Sequence, residues 1–115
     1  MPAAVLSRFS YPKVPGDSFW SVVDVEGPAS YVQVVPGNPP TGGQLITASD
    51  CGLQSFDWVN AKGASQAFNA VVVIPAIVGN PTIIRLMWIT AATGSQVAPG
   101  ANLSGRFVRL LAIGR

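Results

Sequence analysis

Ten prolines and twelve glycines are scattered along these 115 residues. That scatter is the strongest constraint on the fold. Proline removes a backbone donor and ends helices, and glycine weakens them, so a chain interrupted this often has no room for a long helix. The longest stretch free of both is residues 82–93. Its first nine residues, Thr82-Ile83-Ile84-Arg85-Leu86-Met87-Trp88-Ile89-Thr90, are rich in β-branched and aromatic side chains and read as a strand. Alternation puts Ile84, Leu86 and Trp88 on one face and Ile83, Arg85, Met87 and Ile89 on the other. Both faces are apolar apart from Arg85, so both need cover.

Other segments follow the same pattern. Residues 18–25, 31–35, 44–48, 68–74 and 106–113 read as strands bounded by turn signals such as Gly27-Pro28 and Gly79-Asn80-Pro81. Residues 36–43, Pro-Gly-Asn-Pro-Pro-Thr-Gly-Gly, cannot form a ladder and read as a long loop. Residues 50–62 fit either period. Leu53, Phe56 and Val59 recur at helical spacing, with Asp50 as a possible cap, while Phe56 and Trp58 alternate with Asp57 and Val59. A strand over 56–61 with a turn before it is favoured. Residues 1–16 hold Pro2, Pro12 and Pro15 and read as an extended N-terminal arm, docked through Phe9 and Tyr11. Residues 17–115 form a single β domain. The expected fold class is all-β: a compact antiparallel sandwich or jelly-roll-like barrel of about seven short strands.

Charge explains why this sandwich is unusual. Charged residues are 10% of the chain, against about 25% in an average soluble domain. Mean hydropathy is +0.40. No window approaches the roughly 18–20 apolar residues of a membrane span, so no membrane is expected. The strands at 68–74, 82–90 and 106–113 are apolar on both faces, where an antiparallel sheet with one wet face alternates cleanly. A Val, Leu or Ile left in water forgoes about 1.5–3 kcal/mol of burial. Several per face amount to on the order of 10 kcal/mol, the scale of a domain's stability. Burial against other subunits recovers it, so a homo-oligomer is expected. Candidate interface residues are Phe9, Tyr11, Ile83, Arg85, Met87, Ile89, Arg106 and Arg109. The arginines need carboxylate or carbonyl partners, with Asp24, Asp50 or Asp57 of a neighbouring subunit as candidates.

Chemistry is sparse. The chain has no histidine, which removes the commonest general base and the histidine-based triads. No catalytic residue, metal site or cofactor is expected. Cys51 is the single cysteine and reads as a buried thiol. Asp24 and Glu26 share a strand face and read as a solvated strand end, not a glycosidase pair or Ca²⁺ site. The net charge of +2 is spread without a basic cluster, so nucleic acid has little to bind. The N-terminus lacks a basic region and a long apolar run, so no secretory signal is expected. Trp88 belongs in the core. Trp20 and Trp58 are expected in core or interface, with ligand stacking as the alternative.

The Pro/Gly-broken strands, the arm at 1–16 and the closing run Arg106-Phe107-Val108-Arg109-Leu110-Leu111-Ala112-Ile113-Gly114-Arg115 resemble in type the small capsid decoration, or cement, proteins of tailed bacteriophages. The resemblance implies a structural, non-enzymatic subunit of the virion, made in the host cytoplasm. It implies a trimer that stabilises the shell by bridging major capsid subunits. It assigns no residue-level site. The alternatives are a carbohydrate- or receptor-binding sandwich that stacks ligand on Trp20 or Trp58, as in a phage fibre, or another virion part such as a tail or head–tail joining subunit.

Overall fold

The fold is given by a computed structural model. It describes residues 4–14, 18–37, 40–74 and 81–115, with the backbone alone for residues 4–14, 18 and 62. Seven strands follow in order: β1 (Ala4–Val14), β2 (Ser18–Glu26), β3 (Gln44–Thr47), β4 (Phe56–Ala64), β5 (Phe68–Val73), β6 (Ile83–Thr90) and β7 (Phe107–Gly114). One turn of 3-10 helix, Ser49–Cys51, precedes β4. No α-helix occurs among the described residues. The strands form a four-stranded sheet, β1-β2-β7-β4, and a three-stranded sheet, β3-β6-β5, all pairs antiparallel. The expected all-β sandwich is what is seen.

The core lies between the sheets, supplied by alternate residues of each strand. Val23 and Val25 of β2, Ile84, Leu86 and Trp88 of β6, and Val108, Leu110 and Ala112 of β7 are fully buried. Cys51, Leu53 and Phe56 fill one end of this layer and Tyr31, Val97 and Leu103 the other. The polar side chains at the edges of this core, Gln44 and Tyr31, have partners, as burial requires. The Trp88 indole N–H donates to Gln44 Oε1 at 3.0 Å, and Gln44 Nε2 donates to the Glu26 carbonyl at 2.7 Å. The Tyr31 hydroxyl accepts from the Trp88 amide at 3.1 Å and donates to Gln96 Oε1 at 2.7 Å. Burial raises the Tyr31 pKa, since the anion would be desolvated, and the Trp88 hydrogen bond offsets this in part. Gly27 lies so close to Leu103 and Trp88 that a Cβ there would sit 2.5 Å from Leu103 Cβ and 3.1 Å from Trp88 Cζ2.

Two segments differ from the sequence expectation. Residues 31–35 belong to no strand and make one isolated bridge, at Val35. Their hydrogen bonds scatter: the Tyr31 amide donates to Ala101 O, Gly43 donates to Val32 O, and Val35 bridges Thr41. The Val34 amide donates to Gln96 Oε1 at 2.5 Å. The apolar run crosses from one sheet to the other, and a crossover meets a different neighbour at each step. The segment read as an arm forms β1 over residues 4–14, the edge of the four-stranded sheet, with register shifts between Val5 and Ser7 and between Tyr11 and Val14. The favoured reading of 50–62 matches a turn at Ser49–Cys51 followed by β4. Asp50 holds that turn by accepting from the Thr47 amide at 2.9 Å. The turn expected at residues 79–81 lies mostly outside the described residues.

Candidate interaction surface

Because side chains alternate, the residues left out of the core share the outer faces. On the four-stranded sheet, register sets Tyr11 opposite Trp20, Trp20 opposite Ile113, and Ile113 opposite Trp58. One row across the sheet therefore carries tryptophans on both strands flanking β7. Trp20 is 41% exposed and Trp58 44%. Neither belongs to the core, which corrects that part of the expectation. The next row is Phe9, Val22, Leu111 and Asn60. Phe9 and Tyr11 are placed here by backbone register only.

Beyond these rows Asp24 faces Arg109 across β2 and β7. Arg109 donates to both Asp24 oxygens, Nε to Oδ1 at 2.7 Å and Nη2 to Oδ2 at 2.8 Å. Hydrogen bonding to Asp24 raises the arginine's pKa. The pairing expected between subunits is made within the chain, because adjacent strands bring the two side chains together. Glu26, at the strand end, accepts from the Gly105 amide at 2.8 Å. A shallow depression lined by Asp24, Gly63, Ala64, Ser65, Phe107 and Arg109 adjoins the pair.

The outer face of the three-stranded sheet carries Leu45, Val71, Val73, Ile83, Arg85, Met87 and Ile89. Leu45 pairs with Arg85, Val71 with Met87 and Val73 with Arg85. Ile83 is 42% exposed, while Arg85, Met87 and Ile89 are half-buried. Arg85 Nη1 donates to the Gly42 carbonyl at 2.8 Å, while its buried Nε has no hydrogen-bond partner. Gly42 and Gly43 make this approach possible, with φ of 77° and 71°. A Cβ at Gly42 would collide with the Gln33 carbonyl. Arg106 does not join this face. It stacks 5.7 Å above the Phe68 ring, which meets Trp88 edge-on at 5.9 Å.

Cys51 is buried and forms no disulfide. Among the described residues no group of three or more Cys, Asp or Glu side chains is placed to hold a metal ion. No described helix is long and apolar enough to cross a membrane. No protein-family model, curated protein or solved structure matches the chain.

Sequence reasoning identified most of these surface residues but missed Gln44 and Gln96, which join the two sheets and the crossover. An isolated glutamine carries no periodic signal. For Gln44 the missed signal is its inward position on β3, where a polar side chain needs a partner.

Proposed function

We propose that this chain is a non-enzymatic structural subunit of a symmetric assembly, most simply a capsid decoration protein that bridges major capsid subunits. One observation carries the reading: both sheets have apolar outer faces. Trp20, Val22, Trp58, Leu111 and Ile113 lie on one, and Leu45, Val71, Ile83, Met87 and Ile89 on the other. A solitary domain keeps contiguous apolar patches small, and larger ones mark contact surfaces. Little charge interrupts either face: the Asp24–Arg109 pair is internally neutralised and Arg85 is turned to a carbonyl. Many modest contacts repeated over a shell add up through multivalency. The type resemblance makes the unit a trimer attached to a virion shell.

Sedimentation equilibrium tests the reading. The purified chain is expected as a homo-oligomer that binds shells lacking it. A monomer at all concentrations that ignores such shells would overturn it.

A second reading is favoured by the shared row of Trp20 and Trp58. Exposed indoles on a sheet are stacking platforms for sugar rings, since they present apolar faces beside a wet edge. A saturable tryptophan fluorescence change on adding an oligosaccharide, lost in Trp20→Ala and Trp58→Ala, would replace the structural reading with this one.

A further inference from the structure

A sandwich of two open sheets has four edge strands, here β1 and β4 on one sheet and β3 and β5 on the other. Exposed edges invite pairing with foreign strands, and stable proteins blunt them with bulges, charges, prolines or short length. Three of the four are blunted. β1 has two register shifts, and its sequence includes Arg8, Pro12 and Lys13. β4 has two register shifts, and its sequence includes Asp57, Lys62 and Gly63. β3 is four residues long. β5, Phe-Asn-Ala-Val-Val-Val, has none of these devices. It pairs with β6 without a register shift at every position from Phe68 to Val73.

A second observation concerns the core beside it. Ala70 and Val72 face the same layer as the fully buried Leu86 and Trp88, yet remain half-buried. Among the described residues no strand pairs with the far edge of β5, and Ala70 and Val72 keep part of their apolar surface exposed beside it. On the other face of β5, Asn69 is exposed and Val71 is 47% exposed.

We propose that two copies of this chain join through β5, edge to edge and antiparallel, fusing their three-stranded sheets into one continuous sheet. The inference rests on the structural-subunit reading and specifies one of its contacts. The occupant follows from the strand's own chemistry. β5 has no charged residue, so self-pairing opposes no like charges. An antiparallel pair of identical strands is related by a two-fold axis and is self-complementary. Side-chain parity narrows the register, since a one-residue slip would set inward residues beside outward ones. Registers centred on Ala70 or on Val71 satisfy it. With Val71 against Val71, Ala70 lies opposite Val72 and Asn69 opposite Val73, so the inward pair is covered in both copies. Outward Val71 continues into Met87, and Val73 continues across Arg85 into Leu45, which joins the outer faces of the two copies.

The test is native mass by sedimentation equilibrium, with circular dichroism to report folding. Wild type is expected to contain an even number of chains, either a dimer or a pair of the trimers that the resemblance implies, joined through this contact. Asn69→Lys/Val71→Lys, which adds charge to the edge, is expected to keep its fold and lose about half its mass, as removal of one two-fold contact requires. Val32→Lys/Val35→Lys adds equal charge at exposed sites on the crossover and is expected to leave the mass unchanged. Amide exchange on wild type needs no variant: the β5 amides are expected to gain protection with concentration. A trimer overturns this inference and leaves the structural reading intact, as does a folded lysine variant of unchanged mass. A monomer at all concentrations overturns this inference, and overturns the structural reading as well if it also ignores shells lacking it. A monomer whose β5 amides are protected by an added unrelated extended peptide overturns the second copy as occupant.

Discussion

β6 is the central strand of the three-stranded sheet and β7 an inner strand of the four-stranded one, and each is half saturated in a different way. Their inner faces are alike: Ile84, Leu86 and Trp88 on β6 and Val108, Leu110 and Ala112 on β7 are all fully buried. Their outer faces differ. On β7, Arg109 is satisfied by a carboxylate one strand away and lies in solvent, with tryptophans on the flanking strands. On β6, Arg85 lies half-buried with one guanidinium nitrogen on a carbonyl and its Nε unpartnered, among aliphatic neighbours. Folding is therefore settled by the inner faces, while the outer faces hold apolar surface that folding leaves unused. The β6 face is the less complete of the two.

The sharpest break of this comparison substitutes aspartate on either side of the same strand. Ile84→Asp or Leu110→Asp puts an unpaired charge into a fully dry layer. Either is expected to remove more than about 4 kcal/mol and leave no folded protein in a thermal melt. Met87→Asp and Leu111→Asp, half-exposed on the outer faces, are expected to keep the circular dichroism spectrum and lower the native mass. If Met87→Asp unfolds the chain as Ile84→Asp does, the two faces are not distinct.

Gly27→Ala probes the inner layer without adding charge. Its Cβ would meet Leu103 Cβ and carbonyl at 2.5 and 2.7 Å and Trp88 Cζ2 at 3.1 Å. Backbone atoms cannot yield as a flexible side chain would, so a loss of about 1–3 kcal/mol in urea denaturation is expected, typical of overpacking. The adjoining polar network adds a pH signature. The buried Tyr31 phenol has a raised pKa, so its proton is held more tightly in the folded chain. The stability this supplies is complete below the ordinary tyrosine pKa of about 10 and falls as pH climbs through the raised value. Denaturation midpoints are expected to decline above about pH 10, with the loss reduced in Tyr31→Phe.

Much of this was legible from period alone. The cores of β2, β3, β5, β6 and β7 lie within a residue or two of the strands read from alternation, and the even positions of β6 are the buried ones, as the pattern requires. Residues 31–35 were not legible, because Tyr-Val-Gln-Val-Val has strand composition but no continuous partner. Composition reports local preference, while a ladder needs a neighbour that stays alongside. The partners of the surface arginines were half legible. A carbonyl or carboxylate was required, but Gly42 meets Arg85 only because the crossover loop folds back. The difference among edges was written in the sequence as charges, prolines and lengths. It acquired meaning only once the topology identified which strands were edges.

The smallest expected effect lies where the two sheets connect. β4 passes to β5 through a tight turn in which Ala67 has φ of 76°, the one non-glycine residue at positive φ among the described residues. A side chain in that region crowds its own backbone by roughly 1 kcal/mol. The Ala67 carbonyl accepts from the Ala91 amide at 2.9 Å, and the Phe68 amide donates to Ser65 O at 3.0 Å. Those bonds hold the turn closed whatever stands at 67. Ala67→Gly is therefore expected to keep both bonds and relieve the crowding. Part of the gain is cancelled by the greater freedom of glycine in the unfolded chain. A net stabilisation of about 0.5 kcal/mol or less in urea denaturation follows, with native mass unchanged because the turn precedes the free edge of β5. If Ala67→Gly shifts the native mass, the turn sets the aim of that edge, and the separation between folding surfaces and contact surfaces fails at this corner.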